Sequence, residues 1–86
     1  MPGVYQFNGT ATTSPTTITY NGDTSDSIFI QNTDSGSGSL LVSFDGGSTY
    51  KTLANMWDYI SINAELTSFM VKSSVGSKLY ESIITV

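Results

Sequence analysis

Turn-forming residues punctuate this chain at intervals too short for helices. Asn21-Gly22-Asp23, Asp34-Ser35-Gly36-Ser37-Gly38, Asp45-Gly46-Gly47 and Ser73-Ser74-Val75-Gly76 each break an apolar run after a few residues. Within the runs, apolar residues alternate with period two: Ile28 with Ile30, Leu40 with Val42 and Phe44, Ile60 with Ile62, Phe69 with Val71. That period is the pleat of a half-buried strand. The chain has 14 serines and 12 threonines but only three Lys and no Arg, so helix formers are scarce and β formers common. Strands are predicted near Val4-Phe7, Thr16-Tyr20, Ser27-Asn32, Ser39-Phe44, Tyr50-Leu53, Tyr59-Asn63, Ser68-Lys72 and Lys78-Val86. About eight short strands at this spacing indicate an all-β fold, a sandwich or a barrel.

Length makes the chain a single domain, residues 1–86. A domain of this size buries only about 60% of the surface its unfolded chain exposes. Disulfides or a metal often compensate. Here Cys and His are both absent, so neither a disulfide nor zinc is expected, and oligomerisation is left as the source of extra burial. The last strand strengthens that expectation. Tyr80, Ile84 and Val86 face one side, Leu79 and Ile83 the other. Apolar residues on both faces mark either a central strand or a subunit contact. A homotrimer is the favoured assembly.

Charge excludes several partners. The net charge is -4, and Lys51, Lys72 and Lys78 are scattered. Nucleic acids require clustered Lys or Arg, so no nucleic-acid partner is expected. The first residues lack both a basic region and a long apolar run, so no signal peptide is expected, and no segment has the ~20 apolar residues of a membrane span. Without His or Cys there is no Ser-His or Cys-His nucleophile. Asp23, Asp26, Asp34, Asp45 and Asp58 sit at turns or strand ends, where capping is their ordinary role. Glu65 and Glu81 read as lone solvated acids. No enzyme, catalytic residue, metal site or cofactor is expected.

The stretch Ser43-Phe44-Asp45-Gly46-Gly47-Ser48-Thr49-Tyr50 invites three readings. A calcium loop needs several converging carboxylates, and only Asp45 is present. Ser43, Asp45, Gly47 and Thr49 followed by Tyr50 resemble the Asp-box of sialidases. In those enzymes the box is a structural hairpin, and the active site relies on arginines, which this chain lacks. The third reading is a hairpin: Gly46 and Gly47 take positive φ, Asp45 accepts backbone N–H groups, Thr49 bonds locally and Tyr50 packs on the sheet.

A broader resemblance runs through Ser27-Ile28-Phe29-Ile30-Gln31-Asn32-Thr33-Asp34, the segment from Ser39 to Gly47, Tyr50-Lys51-Thr52-Leu53, the segment from Tyr59 to Asn63 and the segment from Phe69 to Ser74. This order resembles small β-sandwich virion proteins of tailed bacteriophages: capsid decoration or cement proteins and the bases of head or tail fibres. It covers roughly residues 27 to 86. The resemblance implies an all-β fold, a small antiparallel β-sandwich of jelly-roll type with about eight short strands, in a structural protein of the virion assembled in the bacterial host cytoplasm. Its first-choice role is to bind major capsid protein at symmetric capsid positions.

Two segments are candidate partner contacts. Trp57, the only tryptophan, and Tyr59 could stack on a sugar, which would make the chain a carbohydrate-binding or adhesive module. The simpler and preferred reading has Trp57 cap an open end of the sandwich. Residues 8–17 are polar and uncharged around Pro15 and read either as a flexible connection or as an arm able to join a neighbour by strand addition, and residues 1–17 together are a candidate extended arm.

Overall fold

The computed structural model describes residues 3–86; Met1 and Pro2 lie outside the described residues. Among the described residues there are eight strands and no helix: β1 (Val4–Ala11), β2 (Thr16–Thr19), β3 (Ser27–Asn32), β4 (Leu40–Ser43), β5 (Lys51–Leu53), β6 (Tyr59–Ile62), β7 (Ser68–Ser73) and β8 (Lys78–Thr85). They form two four-stranded sheets, β1-β8-β3-β6 and β2-β7-β4-β5. Every pairing is antiparallel. Successive strands alternate between sheets except at the β4-β5 hairpin, which is the strand order of a jelly roll.

The period-two pattern explains the core. Ile28, Ile30 and Ile84 point inward from one sheet, and Leu40, Val42 and Val71 from the other, all with no exposed surface. Phe69, Ile18 and Leu53 complete the second layer. Each such side chain contributes about 1.5–3 kcal/mol on leaving water. Phe44 lies against Phe69 with ring centroids 5.9 Å apart. Buried polar groups join the layers rather than weaken them. Asn32 of β3 donates from Nδ2 to the carbonyl of Leu53 on β5 at 3.0 Å, and its Oδ1 accepts the Asp34 N–H at 2.9 Å. Ser25 Oγ donates to the Ala64 carbonyl and accepts the Leu66 N–H, which fixes the approach to β7.

Three expectations change. First, β1 is twice as long as the predicted Val4-Phe7. Asn8-Gly9-Thr10 has the look of a turn, yet Gly9 is a strand residue beneath which the Tyr80 ring passes: a Cβ there would lie 2.5 Å from Tyr80 Oη. Second, the segment 1–17 is not a free arm over its described part. Residues 4–11 pair along their whole length with β8, from Val4 opposite Thr85 to Ala11 opposite Lys78. Third, β8 lies inside its sheet, between β1 and β3. Ile83 on its outer face is half-buried opposite Gln6 and Phe29, so a central position accounts for much of its two-sided apolar character.

Candidate functional site

The residues 43–50 form the β4-β5 hairpin. Ser43 Oγ donates to Asp45 Oδ1 at 2.7 Å and accepts the Gly47 N–H at 2.9 Å, while Asp45 Oδ1 accepts the Thr49 N–H at 2.9 Å. Gly46 and Gly47 have φ of 75° and 93°. The Ser43 hydroxyl, then the Thr49 N–H, hold the Asp45 carboxyl below the usual carboxylate range. Tyr50 lies beneath Lys72, whose Nζ is 4.2 Å from the ring centroid. The network is closed on itself, and its acid serves the turn.

Trp57 has a different character. The Asp58 N–H donates to the Asn55 carbonyl at 3.1 Å, closing a four-residue turn with Trp57 in its third position. The Trp57 N–H donates to the Asn32 carbonyl and the Asn32 N–H to the Asp58 carbonyl. Two residues thus oppose one, a β-bulge of the type that wants a left-handed first residue, most often glycine. Trp57 takes that conformation, with φ of 77°. Gln31 Nε2 also donates to the Trp57 carbonyl at 3.0 Å. The backbone is therefore held on both sides while the side chain stays 59% exposed. The reading of Trp57 as a lid over the core does not hold.

Trp57 forms one wall of a depression of about 370 Å³ on the outer face of the first sheet. Leu79 is the other apolar wall, and Asn8, Thr10, Thr33 and Glu81 supply polar groups. Tyr59 does not line it. Its ring instead lies 5.7 Å from that of Phe29, farther along the same face. Trp57 and Tyr59, close together in the sequence, serve two neighbouring patches.

The sheet edges form the other distinctive surface. β2 and β6 have four residues each and β5 three. β5 carries Lys51, and β6 begins at the Trp57 bulge. Short length, lysine and bulges all discourage strand addition. β1 has none of these. It runs eight residues without charge, bulge or proline. Gly3 and Val86 exchange both backbone hydrogen bonds, at 3.0 and 2.9 Å. Antiparallel alternation then turns the N–H and C=O groups of Val4, Gln6, Asn8 and Thr10 away from β8, toward the open edge.

The fold has solved counterparts. One is a chain from Bacillus endospore appendages, described as a novel family of disulfide-linked pili: TM-score 0.71, 16% identity, covering 99% of this chain and 83% of that one. Another is the SPBc2 prophage-derived protein YomS: TM-score 0.63, 15% identity, covering 100% of this chain and 96% of that one. At these identities the likeness is one of fold. No protein-family model and no curated protein matches the chain. Among the described residues no group of three or more Asp or Glu side chains could hold a metal ion, and no helix is long and apolar enough to cross a membrane.

Sequence reasoning singled out Trp57 and the hairpin residues but missed the open edge of β1 and the polar lining around Trp57. Val4, Gln6, Asn8 and Thr10 alternate with Tyr5, Phe7, Gly9 and Ala11, a signal for the full length of β1 but not for its place at the sheet edge.

Proposed function

We propose that this chain is a non-enzymatic structural subunit of a phage virion that decorates the head where major capsid subunits meet. The observation that carries this reading is β1: eight neutral residues presenting four outward N–H and four outward C=O groups. A monomeric protein would be expected to blunt such an edge. A subunit uses it, adding a neighbour's strand so that main-chain hydrogen bonds join the copies. Val4, 59% exposed at the start of the edge, adds apolar area to the contact. A homotrimer is the favoured state, because a head-to-tail contact that closes on itself gives a ring suited to threefold capsid positions.

The fold counterparts support the direction of this reading, since one belongs to pili and the other to a prophage. The pili are disulfide-linked, whereas this chain has no cysteine. Copies of it must join without disulfides, which makes the open edge the more significant.

Light scattering on the purified chain tests the assembly, and co-sedimentation with intact phage heads tests the location. Val4→Lys and Gln6→Pro alter the edge while leaving the β8 ladder intact, because the Gln6 N–H points outward. The expected result is a trimer that both variants reduce to monomer, and heads that withstand more heat when coated. A wild-type chain that stays folded and monomeric at micromolar concentration removes the trimer. Heads that melt identically with and without it remove the cement role.

A further inference from the structure

We infer that the depression beside Trp57 is a binding site for a neutral saccharide, a function separate from assembly through β1. Three observations converge there. The first is the chemistry of the walls. A pyranose ring has an apolar face of C–H groups and a rim of hydroxyls, each both donor and acceptor. The indole of Trp57 and the side chain of Leu79 supply an apolar platform, and the Asn8 amide, the Thr10 and Thr33 hydroxyls and the Glu81 carboxylate supply the rim partners. A volume of about 370 Å³ lies at the small end of the usual ligand-site range.

The second is charge. Among the described residues, Glu81 is the one charged side chain lining the depression. Lys78, its nearest cation in sequence, is buried and turned to Asp34 and the Gly36 carbonyl. Phosphorylated, sulfated or sialylated ligands would meet a carboxylate with no counter-charge in the lining, in a chain of net charge -4. The site therefore takes neutral sugars, and Glu81 accepts hydrogen bonds from their hydroxyls.

The third is conformational. The bulge at residue 57 requires a left-handed backbone, which glycine adopts without cost and a bulky residue does not. A tryptophan held in that position costs stability and covers no core, being 59% exposed. Such an outlier points to a role for the side chain. Four hydrogen bonds brace the turn, donated by the N–H groups of Trp57, Asp58 and Asn32 and by the side-chain amide of Gln31. They hold the base of the indole rigidly, so little freedom is lost when a ring stacks on it.

Trp57 is the only tryptophan, so its fluorescence reads the site directly. The full chain is titrated with galactose, N-acetylglucosamine, maltotriose and chitotriose, and a multimerised form is applied to an array of neutral and sialylated glycans. At least one neutral saccharide should give a saturable change in emission and be retained on the array. Trp57→Gly, which relieves the backbone, should lose array binding entirely, and Glu81→Gln should weaken it at least tenfold. Asn8→Ala tests the same lining without touching the bulge, should Trp57→Gly misfold. No retained neutral glycan, a preference for sialylated ones, or binding undiminished in these variants overturns the inference. Light scattering of Trp57→Gly separates this from assembly: an unchanged oligomer with lost sugar binding is the expected result.

Discussion

Lys78 Nζ lies 3.5 Å from Asp34 Oδ1 and donates to the Gly36 carbonyl at 2.6 Å, with the lysine side chain only 1% exposed. Asp34 in turn accepts the N–H groups of Gly36 and Leu79, at 2.7 and 3.0 Å. The pair ties the β3-β4 loop to the start of β8. Lys78→Ala removes the loop's anchor and leaves the Gly36 carbonyl without its donor. It should cost about 3 kcal/mol in denaturant unfolding. Lys78→Met keeps the packing volume and should cost clearly less. Equal losses in the two variants would mean that charge, not packing, dominates there.

Acid should unfold the protein through Asp34 and Asp45. Both carboxyls are held below the usual range: Asp34 first by the Gly36 N–H and then the Leu79 N–H, Asp45 first by the Ser43 hydroxyl and then the Thr49 N–H. A folded-state pKa below the unfolded value adds stability above the unfolded pKa, and that stability is lost as pH falls through the folded one. Melting temperature should be flat above about pH 5 and fall below about pH 4. Asp34→Asn and Asp45→Asn should each lower stability at neutral pH and make the acid limb shallower. An unchanged acid limb in both would assign it to other carboxylates.

Trp57→Gly should raise stability by about 1 kcal/mol, because glycine takes φ of 77° without strain. Trp57→Ala should do less, since alanine keeps most of the strain. Thermal melts of the three proteins check the order. A large loss in both variants would show that the indole holds the loop through packing.

Gly47→Val should cost about 1 kcal/mol or more. Its φ is 93°, and a Cβ there would sit 3.3 Å from Tyr50 Oη. Gly46, with φ of 75° and open space around its Cβ position, isolates the backbone contribution when replaced by Ala. Wild-type melting of Gly47→Val would mean that the hairpin relaxes into another turn.

What the sequence determined by itself was local. Period-two alternation is a property of neighbouring residues, so the strands and their inward-facing Ile28, Ile30, Leu40, Val42, Phe69 and Val71 were legible. The Asp45 hairpin was legible for the same reason, since its bonds span four residues or fewer. What needed tertiary structure depended on partners far along the chain. Gly9 reads as a breaker until Tyr80 passes beneath it. Lys78 reads as a surface lysine until Asp34 and Gly36 enclose it. Apolar residues on both faces of β8 fit a subunit contact or a central strand equally well, and pairing with both β1 and β3 decides for the centre. Trp57 reads as a cap over the core until its backbone is found opposed to Asn32 with its side chain 59% exposed. Alternation states which face a side chain takes, but not which strand ends at an open edge; only the order of strands across the sheet leaves β1 unpaired on one side.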